Sequence, residues 1–315
     1  MLWVIYFECI VLFYRYIGDR MKKIITRIFG GIGNQLFCYA AARRLALKNN
    51  AELVIDDISG FVRDFEYKRH YQLDHFRIPC HKATAAERLE PLSRVRRYLK
   101  RAYNRRQPFE ERKYIQQVGR DFDHRLLQVR SRGTLYLEGY WQSEDYFKDV
   151  EQIIRQDLQI IPPEDALNKR MADEIQASCA VALHMRWFEN PGCVGATFNA
   201  SVNYYLKAIE FIEQKVKAPH YFLFSDNPDS AQVKLSMLGR HVTMVYLNKG
   251  DENAYADLWL MTKCKHFITA DSTFSWWGGW LGEGEEKIVV TPNLALGSQA
   301  SWGFKGLIPN GWVKL

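Results

Sequence analysis

The amino-acid sequence predicts an α/β protein of two parallel-sheet domains facing each other across a cleft. Three observations carry that expectation. An apolar run, a glycine cluster, an alanine-rich helical stretch and a second apolar run follow one another between residues 24 and 56. The same alternation of strand-like and helix-like segments recurs between 180 and 290. Between the two series stands Ile160-Ile161-Pro162-Pro163, whose double proline marks a linker. A chain of 315 residues is long enough to give each domain its own core.

Taken in order, residues 1–20 stand apart. Their apolar run is interrupted by Glu8 and ended by Arg15, which leaves it shorter than the ~20 residues of a comfortable membrane span. It also lacks a basic start and a small-residue cleavage site. Met21 then opens "MKKIITRIFGG", a natural beginning before a first strand. The preferred expectation is an upstream extension of the reading frame, with a short membrane-associating helix as the alternative.

A first domain is expected over 21–163. It begins with a strand at 24–29, the turn Gly30-Gly31-Ile32-Gly33, a helix over 34–48 and a strand at 52–56. A basic helical insertion over 82–132 precedes another strand at 134–137. The second domain, 164–315, is expected to hold strands at 180–183, 221–224, 242–247, 266–269 and 288–290, with helices over 202–214 and 254–264.

Composition sets limits. The apolar share is 47% and the charged share 25%, neither disordered nor integral-membrane. Nine Trp and seventeen Tyr suit a carbohydrate cleft, where sugar C–H faces pack on flat rings, and equally suit a large core. Net charge is +7 and is concentrated: residues 82–132 carry 15 Lys/Arg against 6 Asp/Glu, an excess of +9, leaving the remainder at −2. Within "SRVRRYLKRAYNRRQPFEERK", Val95, Leu99 and Tyr103 recur at helical spacing, so the segment can rest on an anionic membrane or nucleic acid, or can be a solvated basic face. A patch confined to one insertion does not make the whole chain a nucleic-acid binder. The six cysteines form no C-x-x-C pair and no zinc-ligand spacing. Their scatter suggests a reducing, cytoplasmic compartment.

Four motifs stand where strands end. Glycines at 30, 31 and 33 let backbone N–H groups approach an anion at a helix start, and Asn34 and Gln35 add two amides able to donate and accept. Asp56 and Asp57 follow at the ~20-residue distance of a ribose-binding acid, which keeps open a nicotinamide-dinucleotide oxidoreductase. The plainer reading is a tight turn with an amide cap. In Leu183-His184-Met185-Arg186, alternation puts His184 and Arg186 on one side of the chain, and an Arg fork suits a diphosphate without needing a metal. Ser225 and Asp226 leave the next strand, where the acid can read a nucleotide or simply cap the following helix. Last comes Ala270-Asp271-Ser272-Thr273-Phe274-Ser275-Trp276-Trp277. Its hydroxyls at a helix start suit a phosphate; an N-cap before a core aromatic pair explains the tryptophans but not all three hydroxyls.

Together, "GGIGNQLFCYAAARRLA", "LEGYWQSEDYF", "VALHMR", "FLFSDN" and "ITADSTFSWWGGWL" resemble the family 11 glycosyltransferases, the α-1,2-fucosyltransferases, from about Lys22 to Pro292. The resemblance implies a GT-B fold of two Rossmann-like domains, GDP-fucose as donor substrate, inversion at the anomeric carbon, and no metal or other cofactor. It implies transfer to the 2-hydroxyl of a terminal galactose on a glycan or lipid-linked oligosaccharide, with another GDP-sugar as the alternative donor. Peripheral contact with an anionic membrane at its inner face fits such an acceptor. By position, His184 and Arg186 match the family's H-x-R donor motif. Ser225, Asp226, Asp271, Ser272, Thr273 and Phe274 match nucleotide-sugar contacts. Gly31, Gly33, Asn34 and Gln35, with Trp141 and Gln142 beside them, match the acceptor side of the cleft.

Two departures stand out. The family's H-x-R-R-x-D continues here as Trp187-Phe188-Glu189, so one cation is lost and phosphate binding should rest more on Arg186 and on helix N-termini. Asp271 replaces the usual Asn. Glu189 and Asp226 are the candidate bases for the attacking hydroxyl, and His184, Arg186 and Glu189 the expected catalytic set.

Overall fold

The computed structural model describes residues 22–187, 200–236, 239–293 and 304–315. Strands β1 (Lys23–Arg27), β2 (Glu52–Asp56), β3 (His81–Lys82), β4 (Tyr114–Gln116) and β5 (Thr134–Glu138) form one sheet in the order β3-β2-β1-β5-β4. Every pairing in it is parallel. Helix α1 (Ile32–Asn49) joins β1 to β2, and α2 (Ser93–Arg105) lies in the basic insertion.

After α3 (Glu151–Asp157) and α4 (Ala166–Gln176), a second sheet is built from β6 (Ala180–Met185), β7 (His220–Ser225), β8 (Val242–Val245), β9 (His266–Ile268), β10 (Val289–Thr291) and β11 (Val313–Lys314). Its order is β11-β10-β9-β6-β7-β8, again parallel throughout. Its helices are α5 (Val202–Lys215), α6 (Pro228–Ser236), α7 (Ala254–Met261) and α8 (Thr273–Leu281). Among the described residues no helix is long and apolar enough to cross a membrane.

Two parallel sheets with helical crossovers are what the alternation predicts, because parallel strands need long connections that return over the sheet. The short strands β3, β4 and β11 escape sequence reading: two or three residues carry too little pattern.

α1 is the pivot of the molecule. Its alanine-rich sequence lets neighbours approach closely, and Ile32, Leu36, Phe37, Cys38, Ala41 and Leu45 are all buried. The helix ends on Asn50, whose left-handed backbone (φ 47°) turns its N–H back to Ala46 and Leu47 carbonyls. It starts at Ile32, so Asn34 and Gln35 lie in its first turn rather than at the loop junction expected.

One apolar core joins the first sheet to helices α7 and α8 of the second lobe. Phe37 of α1 meets Trp276 and Trp277 of α8 at ring-centroid distances of 4.5 and 4.9 Å, and Phe147 stacks on Trp277 at 5.6 Å. Trp280 and Trp312 extend the cluster. Trp276 and Trp277 are fully buried, and each such ring removes ~150–250 Å² from water. Their N–H groups are satisfied as well: Trp276 donates to the Leu307 carbonyl (2.8 Å) and Trp277 to that of Gly33 (2.9 Å). The tryptophan pair is therefore domain-joining core and not a sugar platform.

Candidate active site

The site is built where the first turns of α1 and α8 meet. A Cβ at Gly33 would stand 2.5 Å from the Thr273 carbonyl carbon and 2.7 Å from the Phe274 nitrogen. Only glycine allows that approach. Glycine is needed here for contact between lobes, which a reading of the loop as an anion cradle did not anticipate. Gly31, by contrast, has φ −70° and room beside it, with the Arg69 guanidinium 3.8 Å from where a Cβ would lie.

α8 begins on Ser272, whose hydroxyl accepts from the Phe274 N–H at 3.3 Å. Ser275 turns inward, accepting from Ala270 N (3.1 Å) and donating to the Ser272 carbonyl (3.3 Å). Ser272, Thr273 and Phe274 remain partly open to solvent. Asp271, just before them, has a buried Oδ1 that finds no partner among the described residues. Burial pushes its carboxyl up to about 7, opposed by a backbone N–H and by the Arg186 charge.

Arg186 follows the end of β6. Its Nη1 lies 3.1 Å from Asp226 Oδ2, and the other oxygen of that carboxylate accepts from the Trp187 N–H at 2.9 Å. Asp226 thus anchors both the guanidinium and the backbone after β6, an arrangement that leaves it poorly disposed to serve as a base. The partly exposed arginine is close enough to Asp271, just before α8, for its charge to favour that carboxylate. Ser225 accepts from Asn227 N at 3.1 Å and shapes the turn after β7.

His184 is 3% exposed and packs against Phe274 with centroids 5.4 Å apart. Desolvation, with Arg186 nearby, lowers its pKa to about 3. The imidazole is therefore neutral, and phosphate binding cannot draw on it as a cation.

Other residues that the motifs single out are placed differently from expectation. Gln35 is enclosed: its amide donates to the carbonyls of Gly30 and His70, both at 2.8 Å, and accepts from Gln72 N at 2.9 Å. It staples the loop and has no group left for a sugar. Trp141 is 1% exposed, lies edge-on to Tyr146, and belongs to the core. Gln142, its neighbour, does reach the glycine loop and donates to Asn34 Oδ1 at 2.7 Å. Asp56 is buried on Arg97 (2.9 Å) and holds Ser59, so the ribose-binding acid of the dinucleotide reading is already engaged. Glu189 lies outside the described residues. Among those described, no three His, Cys, Asp or Glu side chains gather as a metal site.

One feature had no motif to announce it. Arg69, from the loop after β2, pairs with Asp251, which also accepts from Gln72 Nε2 at 2.7 Å. His75 stacks on Tyr255 at 3.6 Å close by. These contacts strap the first lobe to the loop before α7 and to the first turn of that helix, beside Gly31. They join residues some 180 positions apart in sequence, which no local pattern encodes.

Two parallel-sheet lobes, joined through α1 and α8 with a cationic strand end at their junction, define a GT-B glycosyltransferase. The chain belongs to glycosyl transferase family 11, whose model matches residues 24–301. It is 30% identical over 298 residues to the O-antigen biosynthesis glycosyltransferase WbnK of Escherichia coli, covering 84% of this chain and 91% of that protein. It is 24% identical over 284 residues to an alpha-1,2-colitosyltransferase of the same species, covering 86% and 92%. Among solved structures it is similar to the fucosyltransferase NodZ from Bradyrhizobium, with 17% identity, a TM-score of 0.47, and 83% and 93% of the two chains covered.

Proposed function

We propose that the protein transfers a sugar from a GDP-sugar to a hydroxyl of a glycan, with inversion and without a metal, and that the sugar is L-fucose, delivered to the 2-hydroxyl of a terminal β-galactoside. The observation that carries the reading is Arg186, paired with Asp226 after the end of β6 and acting by its charge on Asp271, the residue before the cap of α8. In the reaction the acceptor oxygen attacks the anomeric carbon, the bond from that carbon to the diphosphate breaks, and negative charge develops on the leaving nucleotide. A preorganised guanidinium and the N–H groups of a helix start stabilise charge at that place. The acceptor proton passes to a base or to water. Gly31, Asn34 and Gln142 form the facing wall, on the acceptor side.

A second reading, another GDP-linked sugar in place of fucose, is favoured by the relative named as a colitosyltransferase and by Asp271, which stands where the resembled family usually carries Asn. A matrix of GDP-fucose, GDP-colitose and GDP-mannose against β-galactoside acceptors, with product linkage read by NMR, separates the two. Turnover with GDP-fucose alone, yielding an α-1,2 linkage and surviving EDTA, supports the first reading. Turnover only with another GDP-sugar supports the second. Protection from thermal unfolding by NADH and not by GDP would sink both.

A further inference from the structure

Helix α2 is inside out. Its inward face is polar: Arg97 is buried on Asp56 and the Arg88 carbonyl, both at 2.9 Å. Asn104, also buried, accepts from the N–H groups of Lys113 (2.6 Å) and Tyr114 (3.1 Å). Arg101 approaches Glu138 at 3.9 Å, and Arg105 donates to Gln116 at 2.9 Å. Asp56, Glu138 and Gln116 are the last residues of β2, β5 and β4. The helix is therefore clamped across the carboxyl ends of three strands, the same end of the sheet from which the glycine loop departs.

Its outward face is apolar. Leu92, Val95, Tyr98, Leu99 and Tyr103 are 72, 52, 66, 59 and 66% exposed. At 100° per residue, 95, 99 and 103 fall on one stripe and 98 on its flank, while Leu92 stands exposed just before the helix. Core packing cannot account for this stripe, because the core lies on the other side. Nor is it a plain solvated basic face, since a solvated face would not gather its apolar side chains there. Exposed Arg96 lies on the stripe's border, and exposed Arg106 continues the stripe at the carboxyl end of the helix. From Arg88 to Arg106 the chain carries eight Lys/Arg and one Glu.

An apolar stripe bordered by cations matches one chemistry: an anionic lipid surface, where the apolar side chains enter the acyl boundary and the cations meet phosphates. Tyrosine suits that depth, with its ring in the apolar zone and its hydroxyl wet. We propose that α2 is a membrane-docking helix, which seats the first lobe on an anionic bilayer with the carboxyl end of its sheet toward the lipid. The proposal concerns binding and does not depend on the identity of the donor sugar.

The test is sedimentation of the full chain with vesicles of phosphatidylcholine alone and with about a third phosphatidylglycerol. Binding is expected to the anionic vesicles and to fall as salt is raised from ~0.05 to ~0.5 M. Val95→Ser with Leu99→Ser, and separately Arg96→Gln with Arg106→Gln, should each weaken it at least ~10-fold, with circular dichroism and thermal unfolding unchanged. The substituted side chains are exposed, so folding is not at stake. Absence of binding to either vesicle overturns the proposal, as does binding that both variants leave intact. Two other outcomes also overturn it: a dimer in sedimentation velocity that the serine variant disperses, and retention by duplex DNA or RNA that only the glutamine variant loses.

Discussion

Gly33 and Thr273 touch backbone to backbone across the two lobes, with no space for even a methyl group between them. Gly33→Ala should therefore separate α1 from the start of α8. A loss of ~1–3 kcal/mol is expected, the scale of overpacking, together with a fall in activity because Ser272 and Thr273 move. Gly31→Ala, at an ordinary φ with open space beside it, should be nearly silent. Denaturant unfolding of the two variants side by side checks this; equal behaviour would show that the contact is not rigid.

Trp277 lies in the same joint, donating to the Gly33 carbonyl while stacking on Phe147. Trp277→Phe keeps most of the ring contact but removes the hydrogen bond to the Gly33 carbonyl, a cost of ~0.5–1.5 kcal/mol. Trp277→Ala also opens a cavity and should cost ~3–5 kcal/mol. If the lobes were held together elsewhere, calorimetry of the alanine variant would show one lobe melting at its original temperature.

Arg186 and Asp226 should separate kinetically. Arg186→Ala removes the charge proposed to meet the leaving nucleotide, so turnover should fall ~100-fold or more. Arg186→Lys keeps the charge but loses the fork and should recover only part of the rate. Asp226→Asn leaves the cation in place but held less firmly, so KM for the donor should rise more than kcat falls. Initial rates over a donor series test all three; near-normal turnover in Arg186→Ala would remove that residue from the mechanism.

Two buried carboxyls make stability depend on pH. Asp271 and Asp257 are each pushed from an ordinary 3.8 to about 7 by burial, with Asp257 partly relieved by Asn248. Between those values the folded protein holds protons that the unfolded chain has released. Stability is thus highest at the acid end of this window and falls as pH rises toward 7. The melting temperature should be at least ~4 °C lower at pH 8 than at pH 5 through these groups. Asp271→Asn and Asp257→Asn should each flatten the dependence, and the double variant should remove most of it. An unchanged slope in the double variant would assign the dependence to other groups.

Much of this was legible in the residues. Alternating apolar runs and glycine turns predict both sheets because a parallel strand, a crossover and a second strand impose their own periodicities. The placement of Arg186, Asp226 and Ser272 follows as well, since motifs that leave parallel strands gather at one end of the sheet. Local pattern could not tell which polar residues face the cleft and which are enclosed. Gln35 and Asp56 have ligand chemistry, yet each is occupied by partners from distant segments: His70 and Gln72 for one, Arg97 for the other.

By itself, then, the sequence determined the two-lobed parallel architecture, the family and the strand ends at which chemistry collects, because these depend on periodicity and on order along the chain. Tertiary structure alone decided that Gly33 serves contact between lobes, that His184 is neutral, that the tryptophans join the lobes, that Arg69 reaches Asp251, and that α2 turns its apolar stripe outward. Each of these is set by burial or by a partner far away in the chain, and neither quantity exists until the chain has folded.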